Sequence, residues 1–129
     1  MILVDTSVWI ESLKRRGENE RRELLSILDR DELATTGLVM AEVLQGAASE
    51  KEYEELHERL LAPYFFEDTH EVWERAARVS YELRRRGEET ALSDMVIAMV
   101  ALENDLEVYA KDSDFDRVPG LRRYIPSTT

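Results

Sequence analysis

Short β-branched or aromatic runs alternate with helix-periodic stretches from one end of the chain to the other. That alternation restricts the fold more than any other feature. Ile2-Leu3-Val4, Leu33-Ala34-Thr35-Thr36, Tyr64-Phe65-Phe66, residues 106–110 and residues 122–125 read as strands. Helices are expected between them. One covers about 7–14, opening on the capping chemistry of Asp5-Thr6-Ser7. A second covers 18–30, with Leu24, Leu25 and Leu28 as its apolar stripe. A third runs over 38–48 after Gly37 breaks the preceding strand, and a fourth over 50–61 with Tyr53, Leu56 and Leu60 on one face. Val72, Ala76, Val79 and Leu83 mark a fifth, capped by Asp68-Thr69, and residues 93–104 form an almost wholly apolar sixth. Strands separated by helices cannot pair as hairpins, so the pattern predicts an α/β fold with a mainly parallel sheet. At 129 residues it fits one domain, 1–129, with no repeat and no linker.

Several chemistries are excluded at once. The chain has no cysteine, which removes disulfides, thiolate zinc sites and thiol nucleophiles. Its two histidines, His57 and His70, lie away from the acidic motifs and read as surface residues. No apolar run approaches a signal core or a bilayer span, so a soluble cytoplasmic protein without a membrane partner is expected. The formal net charge of −11 argues against a broad basic nucleic-acid footprint. Any nucleic acid must then be met locally, with divalent cations answering the site's own acids.

The informative acids are the isolated ones. In a chain that is 35% charged, Asp5 is the single charge between Met1 and Ile10. Glu42 is alone between Leu33 and Ser49, and Asp94 between Thr90 and Leu102. All three stand among residues that read as core, where an unpartnered carboxylate is very costly. Each must cap a helix, pair with a distant cation or hold a metal. A fourth acidic element, Lys111-Asp112-Ser113-Asp114-Phe115-Asp116, follows the strand at 106–110. Asp5 and Asp112 both trail strands, and open α/β sheets collect ligands at the carboxyl ends of their strands. Asp94 and Glu42 lie in the first turns of their helices and can point to the same edge. An oxygen-only ligand set selects a hard cation such as Mg²⁺, which can activate water and steady an in-line phosphoryl displacement.

Asp5-Thr6-Ser7 after a first strand, the lone Glu42, Leu92-Ser93-Asp94 with Ile97-Ala98, and Lys111-Asp112-Ser113-Asp114-Phe115 together resemble the PIN-domain family. The similarity is greatest to the VapC-type toxins of prokaryotic toxin–antitoxin pairs, and it spans essentially the whole chain. It implies a three-layer α/β/α sandwich and a Mg²⁺- or Mn²⁺-dependent endoribonuclease leaving 5′-phosphate and 3′-hydroxyl ends. It also implies a cognate antitoxin and a homodimer. By position, the resemblance makes Asp5, Glu42, Asp94 and Asp112 the acidic quartet, with Asp5, Asp94, Asp112 and Asp114 as metal ligands. It makes Thr6 or Ser7 the hydroxyl that orients the first acid or a bound water. Ala110 departs from the Thr common before the last acidic turn, and Asn104-Asp105 from the small-residue turn often found there.

Plainer readings exist for each residue. Asp5 and Asp94 suit helix N-termini, and Asp112, Asp114 and Asp116 suit turns. Glu42 has the weakest alternative, a partly exposed helix edge. Lys14-Arg15-Arg16 and Arg84-Arg85-Arg86 could touch RNA, yet both precede a glycine where cations simply complement a helix end. Trp9 and Trp73 fit helical apolar patterns and read as core, with Trp9 also a candidate for a partner surface. Arg122-Arg123 has no assignment from sequence. Two rival functions share parts of the pattern. A receiver-like phosphoacceptor leaves Glu42 and Asp94 unexplained, and a non-catalytic PIN scaffold has no need of a full acid set.

Overall fold

The computed structural model describes residues 1–127. Five strands form one sheet in the order β3-β2-β1-β4-β5: β1 Ile2–Val4, β2 Leu33–Thr36, β3 Tyr64–Phe66, β4 Glu107–Tyr109 and β5 Arg122–Arg123. Every pairing among them is parallel. Six helices fill the crossovers: α1 Thr6–Ser12, α2 Glu18–Asp29, α3 Gly37–Gln45, α4 Glu50–Arg59, α5 His70–Arg85 and α6 Leu92–Glu103. Every residue of β1 and β2 is buried. Neighbouring strand residues point to opposite faces, so both faces of the sheet are covered. Right-handed crossovers give the same result. The chain steps one way through β1, β2 and β3 and then returns past β1 to β4, which sends the two sets of helices to opposite faces. The architecture is a three-layer α/β/α sandwich.

That reversal leaves β1 and β4 adjacent, with Val4 opposite Tyr109. The crevice at their carboxyl ends is the switch point of the sheet, where α/β folds bind ligands. α6 is the hub of the core. Residues 95–101 are buried in unbroken succession, as expected of a helix that is apolar all round. It ends where the Asn104 side chain bonds back to Val100 O at 2.9 Å and Asp105 adopts a φ of 55°. Asp tolerates that left-handed geometry better than most residues, which explains how Asn104-Asp105 replaces a small-residue turn.

The structure corrects several expectations. On α2 the inward stripe is Glu20, Glu23, Leu24 and Ile27, while Leu25 and Leu28 face outward at 59% and 38% exposure. Spacing of i, i+3, i+4, i+7 is kept, but two of its positions are glutamates, which hid the true face. Trp73 is exposed rather than core, because Val72, Ala76 and Leu83 occupy the inward side of α5. Tyr53 likewise faces out, leaving Leu56 as the buried residue of α4. Gly37 opens α3 instead of separating it from β2, and α3 stops at Gln45. The last strand is confined to Arg122–Arg123. Lys14, Arg15 and Arg16 lie beyond the end of α1, and Gly17 becomes the N-cap of α2.

Candidate metal centre

Asp5 is the residue at which β1 becomes α1. Its backbone is extended, its amide still bonds to Tyr109 O of β4 at 2.9 Å, and its carbonyl accepts the first amides of the helix. The side chain is a true N-cap, accepting from Ser7 N at 3.3 Å, and it also accepts from Ser7 Oγ at 2.5 Å. Capping and a place at the switch point are therefore one arrangement. The residue is 4% exposed, and burial raises its pKa against the Ser7 hydrogen bonds, with Glu42 adding to the rise.

Glu42 approaches from α3. Thr6 Oγ1 donates to its Oε1 at 2.7 Å, a bond across 36 residues that fastens α3 to the first turn of α1. Thr6 and Ser7 thus divide the work expected of one hydroxyl, each holding a different acid. The turn after β4 brings the remaining carboxylates. Asp112 caps a single 3₁₀ turn, Ser113–Arg117, by accepting from Asp114 N at 2.8 Å. Phe115, fully buried, anchors this turn in the core. Asp116 points elsewhere and is paired with Arg123 at 2.8 Å.

Asp94, in the first turn of α6, is where these segments meet. Asp94, Asp112 and Asp114 each offer a carboxylate oxygen, and the oxygens all lie within 4.8 Å of one another. Burial, then the fields of Asp5, Asp112, Asp114 and Glu42, push the Asp94 pKa up to about 7. Among the described residues no hydrogen bond or ion pair offsets that repulsion at the Asp94 carboxylate. Like charges gathered this closely fit a divalent cation: the donors are all hard oxygens, and their mutual repulsion is what a cation would relieve. The sequence-predicted acids thus lie around one crevice, with Asp94, Asp112 and Asp114 as the compact set. Asp5 and Glu42 stand beside that set.

Sequence reasoning passed over three supporting side chains. Arg117 Nη1 lies 3.4 Å from Asp114 Oδ1 and donates to Glu89 O at 3.3 Å. Arg123 from β5 donates to Ala110 O at 2.8 Å and lies over the Phe115 ring. Lys111, next to Asp112, is engaged with Glu20 of α2 at 2.9 Å. The one available signal was the i, i+3 spacing of Asp114 and Arg117; the other two contacts join remote segments.

A model of the PIN domain family matches residues 2–121. Ribonuclease VapC11 of Mycobacterium tuberculosis is 30% identical over 121 residues, covering 90% of each chain. Among solved structures, a toxin–antitoxin complex from Klebsiella pneumoniae superposes with a TM-score of 0.75 at 20% identity, covering all of both chains. Mycobacterium tuberculosis VapC20, a toxin that cleaves the sarcin–ricin loop, gives a TM-score of 0.77 at 20% identity over 98% of this chain and 100% of that one. With the acid-lined switch point and this fold, the chain belongs to the PIN domain family and, within it, to the VapC ribonucleases.

Proposed function

We propose that this protein is a metal-dependent endoribonuclease and the toxin of a toxin–antitoxin pair. The observation that carries the reading is the convergence of Asp94, Asp112 and Asp114, whose carboxylate oxygens lie within 4.8 Å of one another with no cationic side chain paired to Asp94 among the described residues. Asp94, Asp112 and Asp114 would hold Mg²⁺ or Mn²⁺, and Asp5, whose charge acts on Asp94, would complete the set. Bound there, the ion would polarise a phosphodiester and lower the pKa of a water molecule. The chain's own part is to orient and discharge the acids. Ser7 fixes Asp5 and Thr6 fixes Glu42, so neither carboxylate must search for its rotamer. Asp94 would lose its proton to bind a cation, because a neighbouring positive charge favours the ionised form.

The antitoxin has a suitable surface. An apolar groove of about 400 Å³ runs beside α1 and α2, floored by Trp9, Leu24 and Leu33 and flanked by Leu28, Arg21 and Arg59. It accounts for the outward Leu28, and the buried indole Nε1 of Trp9 has no hydrogen-bond partner among the described residues. A homodimer is part of the same reading, with the exposed Phe65, Trp73 and Tyr81 as candidate contact residues. No helix among the described residues is long and apolar enough to cross a membrane, and we place the toxin in the cytoplasm with its RNA.

The test is cleavage of a structured RNA pool by the purified protein in Mg²⁺, in Mn²⁺ and in EDTA, beside Asp94→Asn. Cleavage that needs the metal and is lost in the variant is expected. Cleavage that survives EDTA would overturn the reading. Stable labelling by acetyl phosphate would favour a receiver, and a folded protein indifferent to the metal would favour a scaffold.

A further inference from the structure

A chain of net charge −11 that cleaves RNA must place a cation where the phosphate arrives. Two of the basic groups around the acidic turn are committed elsewhere. Lys111 is held by Glu20 at 2.9 Å. Arg123 is only 24% exposed and makes two contacts of 2.8 Å, one with Asp116 and one with Ala110 O. Arg117, less exposed than Lys111 at 51% but more so than Arg123, is held at longer distances than either. Its side chain is 41% exposed, its ion pair with Asp114 is 3.4 Å long, and its bond to Glu89 O is 3.3 Å. Well-formed charge-assisted bonds run at about 2.7–2.9 Å, so this is a loose arrangement that can exchange partners.

We propose that Arg117 is a substrate-phosphate contact of the acidic site, kept beside Asp114 until that carboxylate turns to a divalent cation. The proposal rests on the ribonuclease reading above. The ion and the guanidinium share one acid. When Asp114 turns to the cation, Arg117 loses its nearest countercharge while remaining tethered at the rim of the site by its position at the end of the 3₁₀ turn. A planar guanidinium with several donors then matches the oxygens of an RNA phosphate. An approaching polyanion would otherwise face five carboxylates. Asp114 thus prevents the free protein from presenting a bare cation, and occupation of the acids makes that cation available.

The test compares wild type, Arg117→Ala and Arg117→Lys in binding a fluorescein-labelled single-stranded oligoribonucleotide by anisotropy, in Ca²⁺ and in EDTA. In Ca²⁺ the alanine variant should bind about tenfold more weakly, the loss of one charged hydrogen-bonded contact. The salt dependence of its affinity should fall by about 0.7 in log–log slope, the value for one phosphate on a single strand. Lysine should restore the slope and most of the affinity. In EDTA the three proteins should differ less than about twofold, since the wild-type arginine is then paired. Calorimetric titration with Mn²⁺ without RNA should show equal or tighter binding to Arg117→Ala, because a competing cation has gone. Weaker Mn²⁺ binding by that variant would make Arg117 a brace for Asp114 and overturn the proposal. Unchanged RNA affinity or slope in Ca²⁺ would overturn it too. Wild-type protein that neither binds nor cleaves RNA with any metal would refute the ribonuclease reading itself, and the proposal with it.

Discussion

Glu23 on α2 and Asp94 on α6 are both acids withdrawn from solvent, yet the chain surrounds them in different ways. Glu23 is 1% exposed and accepts hydrogen bonds from the Tyr124 hydroxyl, from Ser127 N at 3.2 Å and from Ser127 Oγ at 3.1 Å. Arg30 adds a second layer through a 2.9 Å bond to the Tyr124 hydroxyl, and Lys111 answers the neighbouring Glu20. Donors from the far end of the chain thus fasten residues 124–127 onto α2. Asp94 sits among acids instead, and its pKa rises to about 7. A buried carboxylate supplied with donors ties two segments together; one supplied with more carboxylates costs stability in the free protein. The second arrangement makes physical sense where a cation is to bind.

Five measurements would break or sharpen that contrast. The largest effect belongs to activity. Asp94→Asn should keep the fold and lower the cleavage rate by at least about 100-fold, since even the groups that support metal ligands are worth 10–100-fold. A fully active variant would remove Asp94 from the site.

The next concerns stability against pH in EDTA. The folded Asp94 has its pKa raised from 3.8 to about 7, so the native state binds more protons than the unfolded chain between those values. Stability must then fall as pH rises through that window. Asp94→Asn should be the more stable protein at pH 8, by about 1–3 kcal/mol after discounting for solvent screening of the half-buried group, and the advantage should vanish near pH 4. Denaturant titrations of both proteins across the range would show it, and a constant difference would contradict it. Glu23→Ala should do the reverse at neutral pH. It leaves the Tyr124 hydroxyl and Ser127 amide without their acceptor, costing about 1–3 kcal/mol, with Mn²⁺ affinity unchanged.

Smaller still is the loss of a supporting hydroxyl. Thr6→Val preserves shape and frees Glu42, and should slow cleavage about tenfold with little change in melting temperature. The smallest effect is expected at Lys111→Met, whose ion pair is half exposed and worth no more than about 1 kcal/mol. A large loss of activity there would show that Lys111, rather than Arg117, meets the substrate.

Much of the molecule was legible in the sequence because its strongest signals are local. β1, β2, β3 and α6 follow from runs whose period or unbroken apolarity has one reading, and Asp5 and Asp112 were placed by the strands they trail. Misreadings came where a side chain serves a distant partner. Glu20 and Glu23 occupy inward positions of α2, and in the sequence they look like solvent-facing charge. Their burial makes sense only once Lys111, Tyr124 and Ser127 arrive from the last fifth of the chain. Trp73 reads as core by chemistry and lies outside by one position of helical phase. Arg123 had no assignment because its partners, Ala110 O, Asp116 and the Phe115 ring, are set by the β4–β5 pairing.

By itself the sequence determined the α/β alternation, the isolation of Asp5, Glu42 and Asp94, and the hard-oxygen character of any metal site. Periodicity and charge are properties of neighbours along a chain, and they survive without a fold. Only the tertiary structure decided that β1 and β4 lie side by side, that Thr6 holds Glu42 while Ser7 holds Asp5, and that Arg117 rather than Arg123 is loosely held. Those facts depend on which strands pair across more than a hundred residues. Pairing is settled by the burial of both sheet faces together, which no short stretch of sequence encodes.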